Sequence, residues 1–214
     1  MKESSMPETT QALVDAFKEK AALVAAQVAE AANLQEAMHR VVHICEHKAP
    51  CELLAPEPGA ATGPLSENNV PTRTQRIIAA PGLNDNDFAV LEKACAAKGF
   101  LCVRKGLRKY LAGVDVGLAW ADFAVAASAT CAVPSTDEEV RLATMICESS
   151  VLLLRKSTIK PDLASIAPQL REMQTDKAGY TTLITGPSRT ADIERVLAIG
   201  VHGPLELHVI LLEG

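Results

Sequence analysis

The sequence predicts an α/β protein, a three-layer sandwich on a mostly parallel sheet. Three observations carry this. From about residue 76 onward, short apolar runs alternate with helical stretches of roughly ten residues, the pattern of strand–helix–strand crossovers. Val151–Leu154 is a continuous apolar run, as expected of a strand buried on both faces. Finally, 48% of the 214 residues are hydrophobic, enough to bury a sizeable core without disulfides or metal staples.

Taken in order, residues 8 to about 48 read as one long helix. Phe17, Val24, Ala31, Met38 and Cys45 recur every seven residues, with Leu13, Val28, Leu34 and Val41 widening the apolar stripe. Pro50 and the run Ala55-Pro56-Glu57-Pro58-Gly59 end it. Residues 55–72 hold four of the twelve prolines and read as a linker or long loop. The expected division is a helical extension over 1–54, a linker over 55–75 and an α/β domain over 76–214.

Within that domain, Arg76–Ala80 is a strand, followed by a helix capped by Asn84 or Asp85 and running to Lys98. Gly99 stops it before a strand at Phe100–Arg104. The closely spaced apolar runs Val114–Trp120, Phe123–Ala127 and Cys131–Val133 suggest an antiparallel excursion. Thr136 or Asp137 caps a helix through Ile146, the buried strand follows, and Pro161 opens a helix to about Met173. Thr181–Thr185 reads as a buried strand, Ser188 to about Leu197 as a helix, and Glu206–Leu212 as the last strand.

Composition narrows the function. With 21 Lys and Arg against 26 Asp and Glu, the net charge is -5, whereas phosphate backbones demand a basic excess. Aromatics are 3% of residues, too few for stacking platforms. The polar, acidic start lacks a signal-peptide pattern, and no apolar run reaches the ~20 residues that span a bilayer. Six cysteines are dispersed without a CxxC spacing and read as buried free thiols. The expectation is a soluble, cytoplasmic protein.

Three places could carry chemistry. In Ile184–Glu194 a strand meets a Gly-Pro turn, and Ser188 would open a helix. The free N–H groups there, the Ser188 and Thr190 hydroxyls and the Arg189 guanidinium suit an anion at the carboxyl end of a strand. Plain capping by Ser188, with Asp192 and Glu194 in the first turn, is the competing reading. Next, His202 sits between Gly200 and Gly203 and is either a ligand-polarising or acid–base group or a satisfied turn residue. Last, His39, His43 and His47 fall at four-residue steps, with Cys45 and Cys51 nearby. Two of these histidines with Cys51 could grip a metal, but paired-Cys spacing is missing, so a solvated helix face is expected and no metal site. The chain carries no GxSxG, GxxxxGK[ST] or GxGxxG run.

The run Thr185-Gly186-Pro187-Ser188-Arg189-Thr190-Ala191-Asp192-Ile193-Glu194, then Gly200-Val201-His202-Gly203-Pro204 and Leu207-His208-Val209, resembles the C-terminal signature of the lactate-utilization (LUD) domain family. The likeness is strongest to its lactate utilization protein C group and weaker over residues 76–160. It implies a Rossmann-like sandwich similar to the NagB/RpiA/CoA-transferase fold. It further implies a part in oxidising lactate to pyruvate beside two iron–sulfur partners, lactate utilization proteins A and B. Lacking clustered cysteines, this chain would be the cofactor-free accessory component. Gly186, Ser188, Arg189, Thr190, Asp192, Glu194 and His202 would then border an anionic ligand.

The chain departs from the family pattern mid-sequence. Where Ala-[Ile/Val]-Ala-[Glu/Asp]-Thr-Gly-Thr is expected, it has Ala124-Val125-Ala126-Ala127-Ser128-Ala129-Thr130. Ala127 replaces the carboxylate and Ala129 the glycine, which leaves open whether the chain is itself catalytic. The alternative is a stand-alone enzyme or binding protein for a phosphosugar, acyl-CoA or carboxylate, with Asp115, Asp192 and Glu194 as acidic candidates. A homo-oligomer formed through the N-terminal helix is the other expectation.

Overall fold

The structure is a computed structural model that describes residues 6–55, 59–175, 179–190, 198–199 and 203–213. Its elements are α1 (Met6–Leu23), β1 (Ala26–Ala31), α2 (Leu34–His47), β2 (Thr62–Leu65), β3 (Pro71–Arg73), β4 (Ile77–Ala79), α3 (Asp85–Ala96) and β5 (Leu101–Val103). There follow β6 (Val114–Trp120), β7 (Phe123–Val125), β8 (Thr130–Pro134), α4 (Glu138–Met145), β9 (Cys147–Arg155), β10 (Ile159–Lys160) and α5 (Leu163–Thr175). The chain closes with β11 (Thr181–Ile184), β12 (Arg189–Thr190), β13 (Ala198–Ile199) and β14 (Glu206–Leu212).

The central sheet has six strands in the order β1-β14-β9-β6-β4-β5, and every pairing in it is parallel. Such a sheet must be covered on both faces. On one face lie α2 and α3, whose Met38, Val41, Cys45 and Leu91 pack on Ile78, Leu118, Val151, Leu153 and Ile210. The other face is covered by α1 and a second sheet. Phe17 and Ala21 pack there with Ala124, Cys131, Val133, Leu152, Leu154 and Leu211. The second sheet, ordered β10-β7-β8-β11, is the antiparallel excursion that the bunched apolar runs suggest. Beyond it, α5 packs Ile166 on Phe123, Val125 and Ala132.

The single helix expected over residues 8–48 is instead helix, strand, helix. The chain turns at Ala25, which takes the left-handed conformation at φ 58°. Ala26–Ala31 then pair in register with Leu207–Leu212 and form the edge of the central sheet. The seven-residue recurrence arose because Phe17, Ala31, Met38 and Cys45 are all core residues. They belong to opposite faces, however, Phe17 on one side of the sheet and Met38 and Cys45 on the other. The second helix is capped by Asn33, whose Oδ1 accepts from the Glu36 N–H at 2.9 Å, while Glu36 Oε2 accepts from the Ala32 N–H at 2.9 Å. This reciprocal pair resembles a capping box. Part of the expected linker is also structured, since β2 and β3 form an antiparallel hairpin.

From residue 76 the expected strands and helices are found within a few residues, and the Asn84 and Asp137 caps are formed. Two corrections apply near the C-terminus. Thr181–Ile184 is partly exposed and pairs antiparallel with β8 in the second sheet, so it is not a buried strand of the parallel sheet. At Ser188–Thr190 no helix begins: Arg189 and Thr190 pair antiparallel with Ile199 and Ala198. Residues 191–197 lie outside the described residues. Among the described residues, no helix is long and apolar enough to cross a membrane.

Candidate functional site

The antiparallel register Ile184↔Cys131 brings together two segments far apart in sequence. At the end of that ladder, Thr130 Oγ1 lies 2.7 Å from Thr185 Oγ1, and Ser128 Oγ lies 2.7 Å from Thr130 Oγ1. A chain of three hydroxyls thus links the mid-sequence run to the start of the C-terminal signature. Each hydroxyl both donates and accepts, so the chain can turn donors or acceptors toward a polar ligand. Between Ser128 and Thr130, Ala129 is buried with φ 53°. Glycine takes that conformation freely, whereas an L-residue bears about 1 kcal/mol or more. Ala127, where the resemblance leads one to expect a carboxylate, is exposed.

The Gly-Pro turn comes next. Gly186 has φ 70°, and a Cβ there would stand 2.4 Å from the Val24 carbonyl oxygen. Glycine is therefore needed twice, for the left-handed backbone and for close packing on the turn between α1 and β1. Beyond it, the Ser188 N–H donates to the Pro204 carbonyl at 2.9 Å. A Cβ on Gly203 would meet Ser188 Cβ at 3.1 Å and Oγ at 3.2 Å. The two halves of the signature are thereby held side by side.

Between them and the sheet is a cavity of about 220 Å³, bordered by Gly186, Ser188, Gly203, Thr144, Ser150 and Thr182 among others. The Ser150 hydroxyl is buried there without a hydrogen bond of regular geometry among the described residues, the Cys147 thiol offering it a weak contact. Buried hydroxyls normally have a partner, and a thiol is a weak one. The cavity lies near the starts of β9 and β14, on the face shared with the second sheet. The expected site at a helix N-terminus is therefore replaced by one at a junction of extended segments. Of the residues singled out from the sequence, Gly186 and Ser188 border the cavity and Arg189 follows in β12 with Thr190. Asp192, Glu194 and His202 lie outside the described residues.

Sequence reasoning did not reveal a buried ionic cluster. Asp115 is fully buried; its Oδ1 accepts from Lys48 Nζ and an Arg76 guanidinium N–H, each at 3.1 Å, and its Oδ2 from the Ile77 N–H at 2.9 Å. Lys48 Nζ also lies 2.5 Å from Glu148 Oε2. Burial works to lower the Lys48 pKa, but the Asp115 and Glu148 carboxylates outweigh it and hold it above the ordinary lysine range. That contribution to stability is present below the ordinary lysine pKa and is lost only as pH rises through the higher folded value, so it is constant at neutral pH. With both oxygens engaged, Asp115 serves as a structural counter-ion. Nearby, Glu206 Oε2 accepts from Ser149 Oγ at 2.9 Å and lies 3.1 Å from His208 Nε2.

His39, His43 and His47 are exposed on α2, with the His43 and His47 rings stacked at 3.9 Å. Among the described residues, no group of three or more His, Cys, Asp or Glu side chains is placed to hold a metal ion. Five of the six cysteines are buried, and burial pushes the Cys45, Cys131 and Cys147 thiols up to about 12. Such thiols stay protonated and unreactive.

Comparisons with known proteins bear on the family and the fold. A family model described as the LUD domain matches residues 14–212, which takes in β1 as well as the hydroxyl chain and the glycine turns. A lactate utilization protein C from Macrococcus caseolyticus is 33% identical over 102 residues, covering 46% of this chain and 44% of that protein. A protein named uncharacterized protein YkgG, from Escherichia coli K12, is 36% identical over 103 residues, with the same coverage. The matched region thus spans under half the length of these curated relatives. A crystal structure of a DUF162 family protein from Deinococcus radiodurans superposes with a TM-score of 0.56 at 15% identity, covering 95% of this chain and 98% of that one. That likeness concerns the fold, a mixed α/β architecture with a parallel central sheet flanked by helices. On the extent of the family match, the chain belongs to the LUD domain family.

Proposed function

We propose that this protein takes part in lactate utilization, as a cofactor-free accessory component of a cytoplasmic iron–sulfur system that oxidises lactate to pyruvate. Its partners in this reading are iron–sulfur proteins of the kind called lactate utilization proteins A and B. The observation that carries the reading is the meeting of the two signature segments, Gly186–Ser188 and Gly203–Pro204, around one small hydroxyl-lined cavity. A volume of about 220 Å³ suits a three-carbon hydroxy or keto acid, and the Ser150 and Ser188 hydroxyls can donate to its carboxylate. Arg189 would supply the positive charge. By resemblance, Thr190, Asp192, Glu194 and His202 are proposed to serve the same ligand, the last three from outside the described residues. Among the described residues no group of three or more His, Cys, Asp or Glu side chains is placed to hold a metal, which supports a protein that borrows redox chemistry from partners.

The test is purification of the tagged full chain from cells of its own organism grown on lactate. Iron–sulfur proteins are expected to accompany it through two successive columns, detected by mass spectrometry and iron content. Repeated recovery of the chain free of any iron–sulfur protein would count against the proposal.

A further inference from the structure

Most of the exposed apolar side chains of this protein are scattered, but five gather in one place. Leu54, Leu65, Leu111, Met145 and Leu205 are 75, 58, 68, 59 and 47% exposed. All five line a single cleft of about 970 Å³ between the β2–β3 hairpin and the starts of β6 and β9. A protein pays for each exposed leucine with unfavourable hydration, and a contiguous group of them marks a surface meant to be covered. The cleft is also one-signed: Glu52, Glu67 and Glu148 line it, and no Lys, Arg or His does among the described residues. Glu148 is neutralised from below by Lys48. Glu52 accepts only from the Asn68 amide, at 2.9 Å, and neither Glu52 nor Glu67 has an ion pair among the described residues.

We infer that this cleft docks a basic, amphipathic segment of a partner protein, with apolar side chains seated among the leucines and Lys or Arg facing Glu52 and Glu67. The apolar floor supplies affinity and the acidic rim selects the sign of the partner. A second copy of this chain, which is net acidic at -5, matches the rim poorly. The inference stands on the cleft alone and does not depend on the lactate reading.

The experiment places a photo-crosslinking amino acid at Leu111 of the full chain in living cells, with the same probe at Leu163, exposed on α5, as control. The expected result is one adduct specific to Leu111, whose crosslinked peptide carries several Lys or Arg residues among apolar ones. That adduct should fall about tenfold in the double variant Glu52→Lys, Glu67→Lys. Thermal melts of the variant check its folding, and lysis at high salt repeats the test on the unaltered chain through charge screening. No adduct above the Leu163 control, an adduct with a second copy of the chain, or one indifferent to both charge reversal and salt would overturn the inference.

Discussion

Replacing Gly117 with alanine is expected to destabilise the protein by about 3 kcal/mol or more, a large share of the about 5–15 kcal/mol that holds a typical domain folded. Gly117 lies in β6, between β4 and β9 at the middle of the central sheet. A Cβ there would stand 1.8 Å from the Ala143 carbonyl oxygen and 2.9 Å from Cys147 Sγ. The obstructing atom is helix backbone, so relief requires moving α4 away from the sheet. Gly82→Ala is the natural comparison, since its added Cβ would meet only Val140 Cγ2 at 3.8 Å. Urea titration should show a large fall in midpoint for Gly117→Ala and almost none for Gly82→Ala. Equal midpoints would mean that α4 does not pack as described.

The second large effect is expected from Asp115→Asn. The asparagine keeps the shape but removes the charge facing Lys48 and Arg76, leaving Lys48 with Glu148 alone and Arg76 with no ion pair among the described residues. Breaking a buried ion pair from one side costs about 3–5 kcal/mol, most of it the solvation that the stranded charge cannot recover. Arg76 also donates to the Lys48 and Ala49 carbonyls at 2.7 and 2.9 Å, so the cluster pins the end of α2 to the start of β4. Denaturant unfolding, with Glu46→Gln at an exposed ion pair as comparison, reads the difference. A loss under about 1 kcal/mol would place the cluster in water.

Much of the α/β domain was legible because its boundaries are written in residues with strong local preferences. Asn84 and Asp137 cap helices, Gly99 turns left-handed at φ 71°, and the apolar run of β9 could only be a doubly covered strand. The N-terminal quarter was not legible, because its break falls at Leu23-Val24-Ala25-Ala26, where no glycine or proline marks it. The alanine-rich strand that follows is held by pairing with β14, a contact between residues at opposite ends of the chain. The signal that was present, Asn33 followed three residues later by Glu36, was hidden inside a fortuitous seven-residue recurrence.

The candidate site was legible in its parts and not in its assembly. Glycines 186 and 203 mark close approaches that the structure contains, yet Ser188 mimics a helix cap and instead spends its N–H on Pro204. The Thr130–Thr185 contact joins residues 55 positions apart through a strand pairing that no local pattern announces. Lys48, reading as a surface residue at a helix end, turns out to be buried against Asp115 and Glu148.

The central claim, that this chain serves lactate oxidation beside iron–sulfur proteins, is tested most directly by lactate-dependent dye reduction in extracts of a strain lacking it. The account predicts that the activity disappears in that strain and returns when the purified full chain is added back. An undiminished rate in its absence would contradict it.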